Sequence, residues 1–365
     1  MTRRATDVIV VGGGLVGLAC ALGVAERGTS VLVVSERRPG EASPAAAGML
    51  APSIERASGA AHAFAIAARD RYPGYLAALT EATARRVSLL RNGILEVALD
   101  ERAAESLRDG GGQGASWLDR EELGALEPAL VRAAGALFHP DDGAVDNVTL
   151  LGALEQHVAA HPRVRVLHES AVEVVVGERA SDRAGVRTAS GARHAADAIV
   201  VAGGAWVGTL AGLPRSLPVE PVRGQMVSFA SAPMGHVAYG PRGYIVPRGT
   251  ATVAGSTMEH VGFSVGTTAD GVAAIAAAAA ELCPALAGTP VRDRWSGLRP
   301  VTPDLQPIID RDAEHPSVVY ACGHSRNGVL LAPITGDCVA ALVSGDTPPY
   351  DLTPFRVERF ARSER

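Results

Sequence analysis

The sequence contains no lysine, and all 34 of its basic residues are arginine. This absence excludes function classes that depend on a lysine amine, namely P-loop nucleotide sites, Schiff-base aldolases and pyridoxal-phosphate enzymes. Basic residues are also outnumbered, because 39 acidic residues give the chain a formal net charge of -5. No stretch of the chain forms a basic stripe, so we expect no nucleic-acid partner.

Cysteines are few and irregularly placed. The chain has four, with no CxxC pair, at Cys20, Cys283, Cys322 and Cys338. In a chain of 365 residues this pattern is typical of reduced thiols in a cytoplasmic protein rather than of a disulfide framework. Residues at spacings typical of metal ligands are also few. His157 and His161 stand four apart, but no HExxH pattern and no third ligand accompany them, so we expect no metal.

Long apolar runs are also missing, and no segment reaches the ~20 residues of a membrane span. One segment resembles a targeting signal, because Arg3 and Arg4 precede the apolar run 8–25. Asp7 interrupts the junction, glycines break the run, and no A-x-A cleavage site follows. The run instead ends at residues 26–28 as a helix would. We therefore predict a folded helix here, and no membrane partner.

Residues 7–36 follow a strand–turn–helix–strand pattern. A β-branched run at 7–11 leads into a glycine-rich turn, a helical stretch covers 18–27, and a second apolar run covers 31–34. This order, with an acidic residue after the second strand, is the dinucleotide-binding fingerprint of parallel α/β sheets. The pattern predicts a bound dinucleotide, and it does not by itself separate NAD from FAD.

Each part of the fingerprint has a physical task. Glycines make the turn, let the backbone approach a pyrophosphate and let helix and strand pack closely, while the helix N-terminus supplies free N–H groups. An acidic residue accepts hydrogen bonds from the adenosine ribose. The candidate contacts are Gly12, Gly14, Leu15, Val16, Gly17, Glu36 and Arg37. Arg37 and Arg38 could also grip a 2′-phosphate, but beside Glu36 we interpret them as solvated surface arginines.

The loop after the second strand carries a family resemblance. Residues 42–52 read ASPAAAGMLAP, and such small side chains let a backbone lie flat against a ligand. The run AAAGML at 45–50 resembles the flavin-contacting loop of the amino-acid oxidases related to D-amino acid oxidase and sarcosine oxidase. Within that family it is most similar to the glycine oxidases of thiamine biosynthesis.

Later segments resemble the same family in the same order along nearly the whole chain. They lie at 143–146, 150–161, 171–175, 199–206, 221–225, 244–248, 296–300 and 323–333. The resemblance implies FAD as the cofactor, held noncovalently because residues 299–304 contain no cysteine for a flavin linkage. The flavin contacts it implies are Ser43, Ala47, Gly48, Met49, Val174, Gly203, Arg326, Asn327, Gly328, Val329 and Leu330.

The substrate that the resemblance implies has a planar carboxylate, which a guanidinium binds with two parallel charge-assisted hydrogen bonds. Arg326, between an apolar run at 317–321 and a helical stretch from residue 329, is the candidate clamp. The resemblance adds Arg299 as a second basic residue, Tyr244 as a hydroxyl donor and Met49 on the substrate side of the flavin. Further candidate lining residues are Met258 and Arg242.

One position departs from the family pattern. Ser325 stands between the histidine and arginine of the 323–333 run, where glycine oxidases usually carry an aromatic residue. A smaller side chain predicts a roomier pocket or gate. Strict preference for glycine is therefore an open question in the sequence. Cys322, beside this run, we interpret as a small strand residue with no redox role.

The function implied is oxidative deamination of glycine to an imine or oxo acid, with dioxygen as the electron acceptor and hydrogen peroxide as a product. Hydride would pass from the substrate α-carbon to flavin N5, while the protein supplies binding and orientation. The product would enter thiamine thiazole synthesis, with hand-off to a thiazole synthase. One alternative is a sarcosine, D-amino acid or other small-amine oxidase or dehydrogenase. Another is a noncatalytic FAD-binding electron-transfer subunit, against which a carboxylate clamp argues.

The chain length suggests about two domains, at ~150 residues each. We predict an α/β fold in which a Rossmann-like FAD-binding domain is interleaved with a substrate domain built on a mostly antiparallel sheet. The FAD-binding domain takes 1–85, 143–215 and 300–365, and the substrate domain takes 86–142 and 216–299. A helix starting near residue 329 would direct its N-terminus toward the flavin. We also expect a homo-oligomer.

Overall fold

The computed structural model describes residues 6–55, 57–110, 114–177 and 183–360. Arg3 and Arg4, on which the targeting interpretation depends, lie outside the described residues. Within them the α-helices are α1 (Leu15–Glu26), α2 (Ala42–Ala45), α3 (Pro52–Glu55), α4 (Gly59–Thr83), α5 (Glu101–Asp109), α6 (Arg120–Leu126), α7 (Asn147–Ala160), α8 (Ala269–Leu282) and α9 (Gly328–Ser344). No helix among them is long and apolar enough to cross a membrane.

The strands of the same described residues alternate with these helices. They are β1 (Val8–Val11), β2 (Val31–Val34), β3 (Met49–Leu50), β4 (Leu89–Leu90), β5 (Ile94–Ala98), β6 (Ser116–Asp119), β7 (Gly135–His139), β8 (Gly143–Val145), β9 (Val164–Leu167), β10 (Ala171–Val175), β11 (Ala184–Thr188), β12 (Arg193–Ala196), β13 (Ala198–Val201), β14 (Glu220–Phe229), β15 (Val237–Gly240), β16 (Gly243–Arg248), β17 (Ala251–Gly255), β18 (Val291–Val301), β19 (Ile308–Arg311) and β20 (Val318–Cys322).

The first sheet is the doubly wound sheet that the fingerprint predicts. Its order is β19-β20-β13-β1-β2-β9, with parallel pairing throughout except between β19 and β20. Every residue of β1, β2 and β13 is buried, because α1, α4, α7 and α9 cover one face and the small β10–β12 sheet covers the other. Strands buried on both faces need the continuous β-branched runs seen in the sequence.

Helix α1 begins three residues earlier than predicted. The sequence pattern indicates a helical stretch from residue 18, whereas α1 starts at Leu15 with Gly14 as its N-cap. The last glycine of the motif therefore lies inside the helix. A helix interior normally disfavours glycine, but this position needs one because α1 approaches the end of β1 too closely for a side chain.

The second sheet is mostly antiparallel, as predicted. Its order is β18-β14-β17-β16-β15-β5-β7-β6, and only β15 and β5 pair in parallel. Helix α8 packs its buried Ile275, Ala279 and Leu282 against this sheet. The strands come from two separate stretches of the chain, so the two sheets are interleaved in sequence. β18 runs across the predicted boundary at residue 299, and the domain boundaries themselves stay a prediction.

The carboxyl ends of four parallel strands meet at one edge of the first sheet. β1 is followed by the glycine turn, β2 by Glu36, β13 by Gly203 and β20 by the run that contains Arg326. Ligands of α/β proteins bind beyond this edge of the sheet. Strands β14, β16 and β18 of the second sheet also contribute residues to the cavity that lies there.

Candidate functional site

An elongated cavity extends from the end of β2 to the second sheet. It contains about 1820 Å³ of free space, including its open mouth. The β1–α1 turn, the loop before β3 and the start of α9 line it on the side of the first sheet. Tyr244 and Arg299 line its far end. A cavity of this volume can hold a dinucleotide together with a small second molecule.

The β1–α1 turn is packed backbone against backbone. Gly12 has φ +111°, and a Cβ added there would lie 2.3 Å from the Ala202 carbonyl oxygen. A Cβ at Gly17 would lie 2.0 Å from the Gly12 carbonyl oxygen. Both distances are far inside van der Waals contact. The turn therefore accepts only glycine at these two positions, as the fingerprint predicts.

The N-terminus of α1 faces the cavity. The first turn of α1, all of it described, contains no acidic residue, and the Gly14 N-cap makes no side-chain hydrogen bond. The Leu15 N–H donates to Ser43 Oγ at 3.0 Å, which ties the turn to the small-residue loop. The end of a helix without acidic residues carries partial positive charge and favours an anion such as a pyrophosphate.

The end of the cavity beyond β2 combines an acid, an arginine and an indole ring. Ser170 Oγ donates to the Glu36 carboxylate, and Arg38 Nη2 donates to Ser170 Oγ at 2.7 Å. The Arg38 guanidinium lies 5.4 Å from the centre of the Trp206 ring. The interpretation of Arg38 as a solvated surface residue is therefore wrong, since it forms part of the cavity wall.

The neighbouring Arg37 points the other way. It is exposed, donates to Glu41 at 2.7 Å and pairs with Glu155 of α7. The surface interpretation of the Arg37 side chain thus agrees with the structure, and its place among the cofactor contacts stays a prediction. Arg37 does not line the cavity, although its partner Glu41 does.

Arg299 is held in place from both sides. Its Nη1 donates to the Thr257 carbonyl at 3.1 Å, and its Nη2 donates to Ser256 Oγ at 2.6 Å. Gly224 on the adjacent strand β14 makes room for it, because a Cβ there would lie 2.1 Å from Arg299 Nη1. The guanidinium therefore has a fixed orientation on the wall of the cavity.

Arg326 lies after β20 and contacts two side chains. Its Nη2 donates to the Tyr239 hydroxyl at 3.2 Å and lies 3.1 Å from Glu55 Oε1. The ring of Tyr239 stacks on that of Tyr244 at 6.3 Å between centroids. Burial raises the pKa of Glu55, while the charge of Arg326 opposes that rise. The Glu55 carboxyl group and the Arg326 guanidinium are thus paired at the substrate end of the cavity.

The turn between β20 and α9 is buried and hydrogen-bonded to its neighbours. His324 is buried, its Nε2 lies 3.1 Å from Thr335 Oγ1, and burial lowers its pKa to about 3, so its ring is neutral. Ser325 has φ +49°, and its N–H donates to the Pro300 carbonyl at 2.9 Å. Burial raises the pKa of Cys322 to about 12, so its thiol stays protonated. Asn327, the N-cap of α9, also lines the cavity.

Most of the predicted site residues meet in this one cavity. Its wall contains Gly12, Gly14, Leu15, Val16, Gly17, Glu36, Ser43, Ala47, Gly48, Met49, Gly203, Tyr244, Arg299, Arg326, Asn327, Gly328 and Val329. They come from segments separated by more than three hundred residues in sequence, and the meeting of parallel strand ends brings them together.

Four further candidates lie outside the wall. The Val174 N–H is bonded to the Ala211 carbonyl at 2.8 Å, and its side chain is buried in the core. Leu330 packs into the core on the other face of the first sheet. Arg242 is exposed and paired with Glu281 of α8, and Met258 is 53% exposed. None of these four residues lines the cavity, and their contacts with a ligand stay predictions.

Several wall residues were not singled out from the sequence. They are Glu55, Trp206, Met226, Ser256 and His324, while Arg38 was named from the sequence only as a 2′-phosphate ligand or a surface residue. Trp206 and His324 lie inside segments that carry the resemblance, which could have marked them. Neighbouring side chains on extended backbone face opposite sides, so an outward-facing Arg37 would predict that Arg38 faces the cavity. No sequence pattern marked Glu55, which ends the short helix α3 just after the small-residue loop.

The residues present fit FAD. The uncapped N-terminus of α1 suits the pyrophosphate, Glu36 suits the adenosine ribose, and the loop 43–49 with the N-terminus of α9 offers a flat, small-residue wall for a ring system. Gly48 of this loop packs directly against β8, since a Cβ there would lie 2.0 Å from the Val145 carbonyl oxygen.

Comparisons with known proteins agree with this geometry. The family model described as FAD dependent oxidoreductase matches residues 7–342. The chain is 34% identical to the bifunctional protein ThiO/ThiG of Synechocystis over 98% of its own length and 54% of that relative, so it spans about half of that protein. It is 33% identical to glycine oxidase of Geobacillus kaustophilus, covering 98% of each chain. The crystal structure of glycine oxidase from Geobacillus kaustophilus superposes with a TM-score of 0.90, at 31% identity over 98% of this chain and 99% of that one. The chain therefore belongs to the family of FAD-dependent oxidoreductases, and its fold is that of glycine oxidase.

Proposed function

We propose that this protein is a flavin-dependent oxidase that deaminates glycine. The observation that carries the proposal is the convergence of Arg326, Arg299 and Tyr244 at the end of a cavity that fits FAD. When bound, FAD supplies the two-electron oxidation and transfers the electrons to dioxygen, which forms hydrogen peroxide. The relatives and the solved structure named glycine oxidase support glycine as the substrate.

In this proposal the side chains bind and orient the substrate. Arg326 takes the carboxylate with charge-assisted hydrogen bonds, with the nearby Tyr244 hydroxyl as a second donor. Arg299 adds positive charge from a fixed position, because Ser256 and Thr257 hold its guanidinium. With both carboxylate oxygens bound, the α-carbon of the substrate has one orientation. This orientation is the main contribution of the protein to the rate.

The size of the substrate is set by the apolar side chains around these donors. Met49, Tyr239 and Tyr244 pack against Met226 in one cluster at this end of the cavity. The Tyr244 hydroxyl donates to Met226 Sδ at 3.4 Å. In this proposal these side chains pack beside the α-carbon and favour glycine over amino acids with long side chains. Ser325 in the cavity wall is the feature that favours the second candidate, an oxidase of sarcosine or small D-amino acids.

The product and its destination form a further part of the proposal. The first imine product would serve thiazole formation in thiamine synthesis, by hand-off to a thiazole synthase. The support is the ThiO/ThiG relative, of which this chain matches about half. We also propose that the enzyme is cytoplasmic and forms a homo-oligomer, which light scattering of the purified holoprotein would test.

The test of the proposed reaction is anaerobic reduction of the purified flavoprotein. Glycine, sarcosine, D-alanine and D-proline are mixed with it separately, and the visible flavin absorbance is followed. We expect rapid bleaching by glycine and one equivalent of peroxide when air is admitted. Bleaching only by the larger amines would support the second candidate. No bleaching by any of them would contradict both and favour a noncatalytic electron-transfer subunit.

Glu55 is expected to compete with the substrate carboxylate for Arg326, because the two side chains are paired at 3.1 Å. Glu55→Gln removes the competing charge, so trifluoroacetate, a carboxylate without an amine, should bind about tenfold more tightly, or ~1.4 kcal/mol. In the wild type its affinity should rise as pH falls through the raised pKa of Glu55, since protonation removes the same charge.

The measurement is the change in flavin absorbance during titration with trifluoroacetate, which stays ionised over the whole pH range. Glu281→Gln, at an exposed ion pair on α8, is the control and should bind as the wild type does. Equal affinity and an equal pH dependence in Glu55→Gln and the wild type would contradict the competition.

A further inference from the structure

The small-residue loop that lines the cavity is held by side chains from three other elements. Asn147 Nδ2 of α7 donates to the Ser43 carbonyl at 2.7 Å. Trp295 Nε1 of β18 donates to the Ala45 carbonyl at 3.0 Å. Arg248 Nη2 of β16 donates to the Ala47 carbonyl at 2.8 Å. Three alternate carbonyls along the loop 43–49 therefore each accept a hydrogen bond from outside it.

The loop needs this support because its own side chains cannot hold it. Residues 45–48 are three alanines and a glycine, and although Ala45 and Ala47 are buried, side chains this small each bury little apolar area. The loop lies directly on β18, since a Cβ added at Gly297 would be 2.5 Å from Ala45 Cβ. Without outside donors, an alanine-rich loop would keep much of its conformational freedom and lose it only on binding a ligand.

Arg248 is the centre of this arrangement. Besides the Ala47 carbonyl, its Nη2 donates to Asn147 Oδ1 at 2.8 Å, so it links two of the three donors. Both acceptors are neutral. Asp146 lies close by, but its carboxylate caps α7 through Val148 and Thr149. A half-buried guanidinium bonded to neutral oxygens costs desolvation energy, and packing of the protein core alone does not call for a charged group at this position.

The same strands carry the substrate end of the cavity. Tyr244 and Arg248 are four residues apart on β16, and Trp295 and Arg299 are four apart on β18. Because side chains alternate along a strand, each pair lies on one face of the sheet. Each strand therefore presents one residue to the substrate end and one donor to the loop.

We propose that Arg248, Trp295 and Asn147 are positioning residues that pre-form the loop 43–49 for FAD and fix it relative to the substrate-binding side chains. They act through the loop carbonyls and need no contact with the cofactor. The proposal rests on membership of the FAD-dependent family and is independent of which amine is oxidised.

The test compares Arg248→Met, Arg248→Lys and Trp295→Phe with the wild type. Removing a charged donor should weaken FAD binding to the apoprotein about 10- to 100-fold, and removing the indole N–H about fivefold. Arg248→Lys keeps a charged donor and should restore part of the loss. Arg292→Met, at an exposed ion pair on β18, is the matched control and should bind FAD as the wild type does.

Two readouts separate positioning from general stability. Hydrogen exchange of the apoprotein should speed up at the amides of residues 43–49, while the thermal midpoint of Trp295→Phe stays near that of the wild type. Unchanged FAD affinity and unchanged loop exchange in Trp295→Phe would overturn the proposal, even if Arg248→Met fails to fold. Equal losses in Arg292→Met would overturn it as well. Loss of glycine oxidation with normal FAD binding would count against the proposed function instead.

Discussion

Replacement of Arg326 by methionine is expected to raise the KM for glycine about 100- to 1,000-fold while the protein keeps its FAD. The guanidinium is the candidate carboxylate clamp, and charge-assisted hydrogen bonds to a carboxylate are worth ~1.5–3 kcal/mol each. Methionine keeps most of the side-chain volume but supplies no donor. Because the guanidinium is only 34% exposed, solvent cannot replace it fully.

The measurement is steady-state peroxide formation, with the FAD content of each preparation taken from its absorbance spectrum. The change also leaves the Glu55 carboxylate without its partner, and this unpaired charge would repel the substrate. The double variant with Glu55→Gln separates the two effects. If the clamp acts directly, the double variant keeps most of the rise in KM. A KM within threefold of the wild type in Arg326→Met would show that Arg326 does not bind the carboxylate.

Gly17→Ala is expected to abolish FAD binding at micromolar concentration and to lower the thermal midpoint of the protein. The added Cβ would lie 2.0 Å from the Gly12 carbonyl oxygen. Gly12 has little room to move, since it packs against the residue after β13, where a Cβ added at Gly12 would lie 2.3 Å from the Ala202 carbonyl oxygen. The clash must therefore push α1 away from β1, at a cost of ~1–3 kcal/mol or more.

The loss of FAD follows because the N-terminus of α1 would leave its position beside the turn. Titration of the apoprotein with FAD, followed by flavin fluorescence, measures the affinity, and we expect at least a 100-fold decrease. Gly124→Ala is the control, because that glycine lies in α6 and an added Cβ there meets no atom within 4 Å. Wild-type FAD affinity in Gly17→Ala would mean that close packing of this turn is not needed for the cofactor.

The parts of the site that could be predicted from the sequence are those that depend on local backbone geometry. The turn from Gly12 to Gly17 and the strands on either side of α1 follow from residues within one short stretch. Glycine spacing reports directly on where a backbone must turn or approach another backbone. The predicted start of α1 was three residues late because Leu15 and Val16 were taken as part of the turn.

Side-chain direction was harder to predict. Arg37 and Arg38 are neighbours with the same chemistry, yet one pairs with Glu155 and the other lies over the Trp206 ring. Both partners come from distant parts of the chain. Val174 was placed in the site because its strand resembles one that meets the adenine, but its N–H is used by the Ala211 carbonyl. A resemblance locates a segment without saying which of its atoms are free.

By itself the sequence determined the doubly wound sheet and the dinucleotide fingerprint, because short-range spacing and composition encode them, while FAD and the predicted side chains at the substrate end came from the resemblance of longer segments to a family. Only the tertiary structure decided that Glu55 opposes Arg326 and that Arg248 and Trp295 hold the loop 43–49. These pairs join residues 201 to 271 positions apart, as the numbering shows. Such contacts exist only after the strands of two interleaved sheets have paired in register, and no local pattern specifies that register.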